Sequence, residues 1–131
     1  VQATSGAEAC PSAADVNYTE VRTSAAKAAQ AQLGEGVRVV SAFQNVAAAH
    51  LADLEHDIDC DVLVCGNDKD AREVVVKLAE DASMKAWHAG VIANSTIAEA
   101  LTSALIFMNG HYKIDGAGIR IAGTPGSAVQ E

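Results

Sequence analysis

The order of hydrophobic and polar residues along the chain predicts an alternation of buried strands and amphipathic helices. Residues 37–43 and 61–66 are almost continuously apolar, as in strands covered on both faces, and a shorter strand is predicted over 85–89. Apolar residues at intervals of three and four predict the helices before, between and after these strands. The predicted helices cover residues 17–33, 45–54, 68–82 and 96–108.

Polar residues and glycines mark where the predicted helices begin and end. The glycine pair of residues 34–36 is expected to stop the first helix, since glycine readily adopts the conformation that closes a helix. The candidate N-caps are Asn17 or Thr19 for the first helix, Asn67 or Asp68 for the third, and a Thr96–Glu99 capping box for the fourth.

Three strands, each followed by a helix, predict an α/β domain with a mainly parallel sheet and flanking helices. The layout is Rossmann-like, but no G-x-G-x-x-G turn precedes the first strand. The chain therefore has the pattern of the second half of such a fold, lacking the Gly-rich nucleotide turn. We predict an irregular lead-in over 1–16, the α/β domain over 17–123 and a flexible tail over 124–131.

The composition of the 131 residues narrows the classes of partner and location. A net charge of −8 opposes nucleic acid or an anionic membrane as partner, because both are bound through Lys and Arg. The sequence has an odd number of cysteines, no C-x-x-C pair and no signal peptide or transmembrane stretch, which predicts a reduced, cytoplasmic protein. Much of the apolar content is alanine, which buries little area per residue, so a homo-oligomer such as a homodimer is expected.

Ligands of parallel α/β sheets bind beyond the carboxyl ends of the strands, here residues 43–45, 65–67 and 88–90. At the second of these ends, Asp68 and Asp70 already bring carboxylates to the helix start, which favours an ordinary cap over a phosphate site. We expect the same acidic residues to raise the pKa of the Cys65 thiol, so a nucleophilic role for it is disfavoured.

Histidine and acidic residues of 50–59 resemble a metal cluster in composition. His50 and His56 are six residues apart, however, and on one helix they would point in different directions, so no metal site is predicted. His88 is interpreted as a core or structural histidine more readily than as a ligand contact. The residues alone indicate no catalytic side chain.

Several phrases of the sequence together resemble a known family. They are GVRVVSAF at 36–43, VLVCGND at 62–68, AG at 89–90 with NS at 94–95, EALT at 99–102, and YKI at 112–114 with GAGIRI at 116–121. In this order and spacing they resemble the C-terminal half of the NADPH-dependent reductases of coenzyme F-420, the deazaflavin hydride carrier. The resemblance covers residues 21–123 and implies an oxidoreductase that exchanges hydride between NADP(H) and the deazaflavin, with no metal and no covalent intermediate.

The resemblance also implies a coenzyme site. In the family, a polar side chain just after the S-A strand end and the Thr of an S/A-L-T motif contact the deazaflavin. The matching residues here are Gln44 or Asn45, and Thr102, and catalysis would consist of positioning the two rings face to face. The family often has His at the position of Gln44 and Ser at that of Ala100, so this chain lacks one hydroxyl. From the residues alone, the Thr102 hydroxyl either bonds back to its own helix, the somewhat favoured alternative, or faces a ligand.

Two classes of function remain open at this stage. The first is the oxidoreductase, or a fragment of one; the second is a non-catalytic α/β dimerisation or ligand-binding module derived from that fold. The Gly-rich turn and basic residues that hold NADP in the family do not occur in residues 1–36, so we expect little NADPH-dependent activity from this chain alone. A transferase that depends on Cys65 is a remote third alternative.

Overall fold

A computed structural model describes residues 24–126 of the chain. The elements, in chain order, are α1 (Ala25–Leu33), β1 (Val40–Ser41), α2 (Ala48–Ala52), β2 (Asp61–Gly66), α3 (Lys69–Asp81), β3 (Lys85–His88), a short 3-10 helix (Ile92–Asn94) and α4 (Ser95–Tyr112). The mixed α/β class predicted from the sequence is confirmed. The predicted lead-in, the candidate caps Asn17 and Thr19, and residues 127–131 lie outside the described residues.

The sheet is small and only partly parallel. Its order is β1-β2-β3, with β2 and β3 parallel in a register that pairs Val62 with Ala86 and Val64 with His88. Strand β1 runs antiparallel to β2, with Val40 opposite Gly66, so the expectation of a mainly parallel sheet is correct for one of the two strand pairs and wrong for the other. Because β1 is antiparallel, it begins beside the end of β2, with Ser41 opposite Cys65, and the segment that follows it leads back to the start of β2, where Asn45 bonds to Asp61.

The core lies around the central strand β2, between the sheet and helix α3. It consists of small and medium side chains, with Val62, Val64, Ala79 and Met84 buried together. The predicted helical stripe of α3 is only partly correct, because Val74 and Leu78 are 69% and 58% exposed in the described chain. Each methylene group of this core stabilises the fold by roughly 0.8 kcal/mol when removed from water.

Local capping explains where the helices begin and end. Ser24 caps α1, since its hydroxyl accepts a hydrogen bond from the backbone N–H of Lys27 at 3.0 Å. Gly34 ends α1 as predicted, with a φ of +79° that a side chain rarely adopts. Asp68 caps α3, since its carboxylate accepts from the N–H of Ala71 at 2.7 Å. The prediction that a polar residue after β2 caps this helix is confirmed.

The predicted capping box of α4 is wrong. Helix α4 begins at Ser95, and the Thr96 hydroxyl donates back to the carbonyl of Ala93. The Glu99 carboxylate instead accepts from the N–H groups of Ala25 and Ala26 at 2.8 and 3.2 Å, so it caps α1 from the neighbouring helix. A carboxylate at the electropositive N-terminus of α1 stabilises that helix, which accounts for this choice of partner.

Helix α4 is longer than predicted and runs on to Tyr112. Residues 113–126 follow it without a regular helix or strand, and their link to the sheet includes the N–H of Asp61, which donates to the carbonyl of Ile119 at 2.8 Å. Among residues 24–126, no helix is both long and apolar enough to span a bilayer.

Candidate functional site

The three residues that the resemblance marks as coenzyme contacts line one cleft. Gln44 and Asn45 follow β1, and Thr102 lies in the second turn of α4, whose first turns pass over this segment. The cleft has a volume of about 250 Å³. Its remaining lining is mostly apolar and consists of Val46, Ala47, Ala48, Leu105, Ile106, Asn109 and Ala117.

The Thr102 hydroxyl joins α4 to the segment after β1. It donates to the backbone carbonyl of Gln44 at 2.6 Å and lies 3.3 Å from the carbonyl of Ala98 in its own helix. The bond back to its own helix that the sequence allowed is thus present, beside a shorter bond to Gln44 that the sequence did not indicate. Because its proton is committed to the carbonyl of Gln44, the oxygen of Thr102 has a lone pair to offer to a donor in the cleft.

Asn45 is the most buried polar residue of the cleft. Its side chain is 2% exposed, and its amide nitrogen donates to the backbone carbonyl of Asp61 at 2.7 Å. That carbonyl fixes the orientation of the amide, because a flipped side chain would bring two acceptors together. The Oδ1 atom of Asn45 is buried without a hydrogen-bond partner, which is costly for an acceptor unless a ligand or water supplies a donor.

The second wall of the cleft comes from residues after α4, which the sequence analysis did not assign to a site. The Asn109 carbonyl oxygen accepts from the N–H of Ala117 at 2.7 Å, which holds Ala117 against the cleft. Gly118 packs so tightly that an added Cβ would lie 2.4 Å from the Cβ of Cys60. From the sequence, Gly116 and Gly118 were interpreted as a turn. The structure adds a second reason for a glycine at position 118, since no larger residue fits against Cys60.

The carboxyl ends of the predicted strands do not form one site. Gly66 and Gly90 meet, with the N–H of Gly66 donating to the carbonyl of Gly90 at 3.0 Å. The side-chain oxygen of Asn67 accepts from the N–H of Ile92 at 3.1 Å, and Arg72 donates to the carbonyl of Gly66 at 2.5 Å. We call this region, residues 65–67 and 88–90, the carboxyl edge. We call residues 43–45 and Asp61 the cleft edge. It lies at the opposite end of β2, because the antiparallel β1 leads the chain back to the start of that strand.

The candidate nucleophile of the carboxyl edge is buried. Burial raises the pKa of the Cys65 thiol above its ordinary value of 9.0, although the nearby Arg72 guanidinium acts in the opposite direction. Burial likewise raises the pKa of Cys60, and the neighbouring Asp61 carboxylate adds to the effect. The thiolate of Cys65 is thus disfavoured as expected, but by burial rather than by the acidic residues of the turn.

Two histidine predictions are corrected by the structure. His88 was interpreted as a core or structural histidine, and its exposure rules out the core alternative. His50 and His56 do not diverge, since α2 ends at Ala52 and the following turn stacks their rings at a centroid distance of 3.9 Å. His50 also lies 3.2 Å from the carboxylate of Asp115. Within residues 24–126, no group of three or more His, Cys, Asp or Glu side chains is arranged to hold a metal ion.

The fold of the described residues is shared with another protein of known structure. A similar mixed α/β fold occurs in a solved crystal structure from Arthrobacter sp. FB24, provisionally named an F420-dependent NADP reductase. The match has a TM-score of 0.69 and 24% identity, and it covers 77% of this chain and 46% of that chain. At this identity the match shows the fold alone. No protein-family model matches the chain.

Sequence relatives give the particular family. The chain is 51% identical over 85 residues to the F420-dependent NADP reductase of Methanocaldococcus jannaschii, a match that covers 64% of this chain and 38% of the relative. It is 34% identical over 128 residues to the enzyme of that name from Methanothermobacter thermautotrophicus, covering 95% of this chain and 55% of the relative. The resemblance to the F420-dependent NADP reductases is confirmed. The chain spans about half the length of the curated relatives that it matches over most of its own length.

Proposed function

We propose that this chain forms the deazaflavin-binding part of an oxidoreductase that transfers hydride between NADP(H) and coenzyme F-420. The support comes from one observation: Gln44, Asn45 and Thr102, matched to the family from the sequence, line a single cleft in the described chain. The names of the relatives, F420-dependent NADP reductases, point to the same pair of coenzymes.

The cleft fits a planar ring with polar edges. Val46 and Ala47 on one side and Leu105 and Ile106 on the other offer apolar surfaces for the faces of a ring. The unpartnered Oδ1 of Asn45 calls for a hydrogen-bond donor, and the pyrimidine edge of a deazaflavin carries an N–H group. A volume of about 250 Å³ accommodates a ring system, so the side chain of the coenzyme would extend outside the cleft.

The deazaflavin, when bound, supplies the carbon that accepts or gives the hydride. The residues of this chain contribute binding and orientation. Thr102 and Asn45 present oxygen acceptors that fix the ring in its plane, while the apolar walls exclude water from one face. Every described contribution is thus one of positioning, and none requires a side chain that forms a covalent bond.

The nicotinamide coenzyme is proposed on the names of the relatives. No residue of this chain is proposed as its phosphate site, because the sequence has no G-x-G-x-x-G turn and the helix start after β2 is already capped by Asp68. The first experimental question is therefore deazaflavin binding, which the described residues are suited to perform.

The homodimer expected from the alanine-rich composition is a second proposal. One side of α4 carries exposed apolar side chains, among them Ile97 and Phe107, each 68% exposed, and Tyr112 at 64%. Exposed apolar side chains on one helix are suited to pack against a second copy of the chain. Light scattering at micromolar concentration should give twice the mass of one chain, and a Phe107→Glu variant should give the mass of one chain.

A fluorescence titration with coenzyme F-420 tests the binding proposal. A Thr102→Val variant loses the hydroxyl that joins α4 to Gln44 and offers an acceptor to the cleft, so its dissociation constant should rise about tenfold. Thr96→Val is the matched control, since the Thr96 hydroxyl bonds to Ala93 in the 3-10 helix just before α4, and the affinity of this variant should not change.

Two results would contradict the proposal. Wild-type protein that binds no coenzyme at millimolar concentration would instead support the non-catalytic module derived from the same fold. Equal losses of affinity in the Thr102 and Thr96 variants would show that the effect comes from helix stability rather than from the cleft.

A further inference from the structure

Asp61 joins both walls of the cleft to the sheet. It is the first residue of β2 and only 7% exposed, although it carries a carboxylate. Its backbone carbonyl accepts from the amide of Asn45 at 2.7 Å, and its backbone N–H donates to the carbonyl of Ile119 at 2.8 Å. A charged residue is almost never buried to this extent without partners, so its side chain calls for an explanation.

The carboxylate has two partners on different elements. Its Oδ2 atom accepts from the indole N–H of Trp87 on β3 and from the backbone N–H of Ile121, each at 2.8 Å. Hydrogen bonds to an ionised acceptor are stronger than neutral ones, and this pair fixes the residues after α4 to the sheet. We call residues 117–121 the strap. The strap begins with Ala117, which lines the cleft opposite Gln44.

We propose that Asp61 is a positioning residue for the cleft: its buried carboxylate holds the strap, and with it the Ala117 wall, in the shape that admits the deazaflavin ring. The inference rests on the proposed function for the identity of the ligand. It adds a residue that does not itself line the cleft and that the resemblance did not indicate. The backbone of Asp61 fixes Asn45, while its side chain fixes the opposite wall.

The strap has few other anchors, so its dependence on Asp61 is strong. Ala117 is held by Asn109, and Arg120 pairs with Asp59, which is mostly exposed and therefore a weak anchor. Between these contacts, Asp61 bonds to the backbone of Ile119 and of Ile121, and the bond to Ile121 is partly buried. Losing the carboxylate would leave the N–H of Ile121 without its acceptor and free the C-terminal part of the strap.

Three variants separate positioning from general stability. Asp61→Ala removes the acceptor of both donors, Asp61→Asn keeps one neutral oxygen, and Trp87→Phe removes only the donor from β3. We expect Asp61→Ala to raise the dissociation constant for coenzyme F-420 about tenfold and Asp61→Asn about threefold. Trp87→Phe should lower the melting temperature yet leave the affinity within about twofold of wild type, because the bond to Ile121 remains.

Hydrogen–deuterium exchange without ligand provides the second measurement. Peptides that cover the strap should exchange about tenfold faster in Asp61→Ala than in wild type, and at the wild-type rate in Trp87→Phe. If Asp61→Ala does not fold, Asp61→Asn takes its place, and its strap peptides should exchange faster than in wild type but less than tenfold faster. This measurement separates the two proposals: wild-type protein that binds no coenzyme defeats the proposed function, whereas the strap is tested without any coenzyme.

Two outcomes would overturn the role of Asp61. The first is unchanged strap exchange and unchanged coenzyme affinity in both Asp61 variants. The second is a Trp87→Phe variant that loosens the strap and weakens binding as much as Asp61→Ala does, which would make the whole network a matter of stability.

Discussion

The two ends of β2 differ in how their polar groups are satisfied. At the carboxyl edge, the Gly66 carbonyl and the Asn67 side-chain oxygen each accept a hydrogen bond from the protein itself. At the cleft edge, the buried Oδ1 of Asn45 has no partner, and a cleft of about 250 Å³ opens beside it. The carboxyl edge also holds a buried, unpartnered Nε of Arg72 and borders a cavity of about 500 Å³ at Asn67, so the cleft edge is distinguished by an unpartnered acceptor beside mostly apolar walls.

The direction of β1 accounts for this difference. In a fully parallel sheet, the segments after all three strands would meet at one edge and could share one ligand. Here β1 is antiparallel to β2, so the segment that follows it lies at the other end of the sheet. The usual location rule for α/β sheets therefore does not apply, and the site must be located from its contacts.

If the cleft edge depends on close packing of the strap, enlarging Gly118 should give the largest effect on stability. A Cβ there would lie 2.4 Å from that of Cys60, and Gly118→Ala should lower the free energy of unfolding by about 2–3 kcal/mol. Gly66→Ala at the carboxyl edge meets the Val39 carbonyl at 3.1 Å, and about 1 kcal/mol is expected. Gly36→Ala, with nothing within 4 Å, is the control.

Urea denaturation at neutral pH measures all three glycine variants. A Gly66→Ala variant less stable than Gly118→Ala would contradict the view that the tighter packing lies at the cleft edge.

A second effect is expected from Arg72, which closes the carboxyl edge. Arg72→Met removes the donor to the Gly66 carbonyl, so the free energy of unfolding should fall by about 1.5 kcal/mol. Its affinity for coenzyme F-420 should stay at the wild-type value, because this edge does not line the cleft. Arg38→Met is the control, since Arg38 is mostly exposed and 3.7 Å from Asp68, and a change below about 0.5 kcal/mol is expected.

Urea denaturation and the fluorescence titration together measure the arginine pair. Loss of coenzyme binding in Arg72→Met would mean that the two edges are coupled, and the contrast between them would then fail.

The order of elements could be predicted from the sequence because it depends on local patterns. The continuous apolar run of β2 and the helical spacing of α3 predicted both elements within one or two residues of their ends. Strand β1 was predicted over 37–43 but only Val40–Ser41 pair, since the antiparallel register ends after two residues. Strand direction is set by contacts that are distant in sequence, and no local pattern encodes it.

For the site, too, local sequence patterns predicted less than the contacts between distant residues reveal. Gln44, Asn45 and Thr102 came from a resemblance rather than from periodicity, and the structure brings them together without testing what they bind. Asp61 was missed because the partners of its carboxylate, Trp87 and Ile121, are 26 and 60 residues away. One local signal existed for Asp61: a charged residue at the start of an otherwise apolar, buried strand has to find partners.

A smaller effect is expected at the cap of α3, on the side of the carboxyl edge. Asp68→Ala removes the acceptor of the Ala71 N–H, which should cost about 1 kcal/mol of stability without changing coenzyme affinity. Asp68→Asn retains a capping oxygen and should lose less than half as much. A thermal melt monitored by circular dichroism measures both variants, and an Asp68→Ala variant as stable as wild type would contradict the capping role.

The smallest effect concerns the two buried thiols, Cys60 at the cleft edge and Cys65 at the carboxyl edge. Burial raises the pKa of both, so the folded state holds their protons more tightly than the unfolded state. Their contribution to stability is thus complete below the ordinary pKa of 9.0 and is lost as the pH rises through the raised values. Urea denaturation between pH 7 and 10.5 should show this decline in the free energy of unfolding. The decline should be smaller in Cys60→Ala and in Cys65→Ala than in wild type. The double variant retains the lysine and tyrosine titrations and serves as control, and a decline as steep in it as in wild type would exclude the thiols as the cause. If Arg72 lowers the pKa of Cys65 as its position indicates, Arg72→Met should steepen the decline, and only through the thiol of the carboxyl edge.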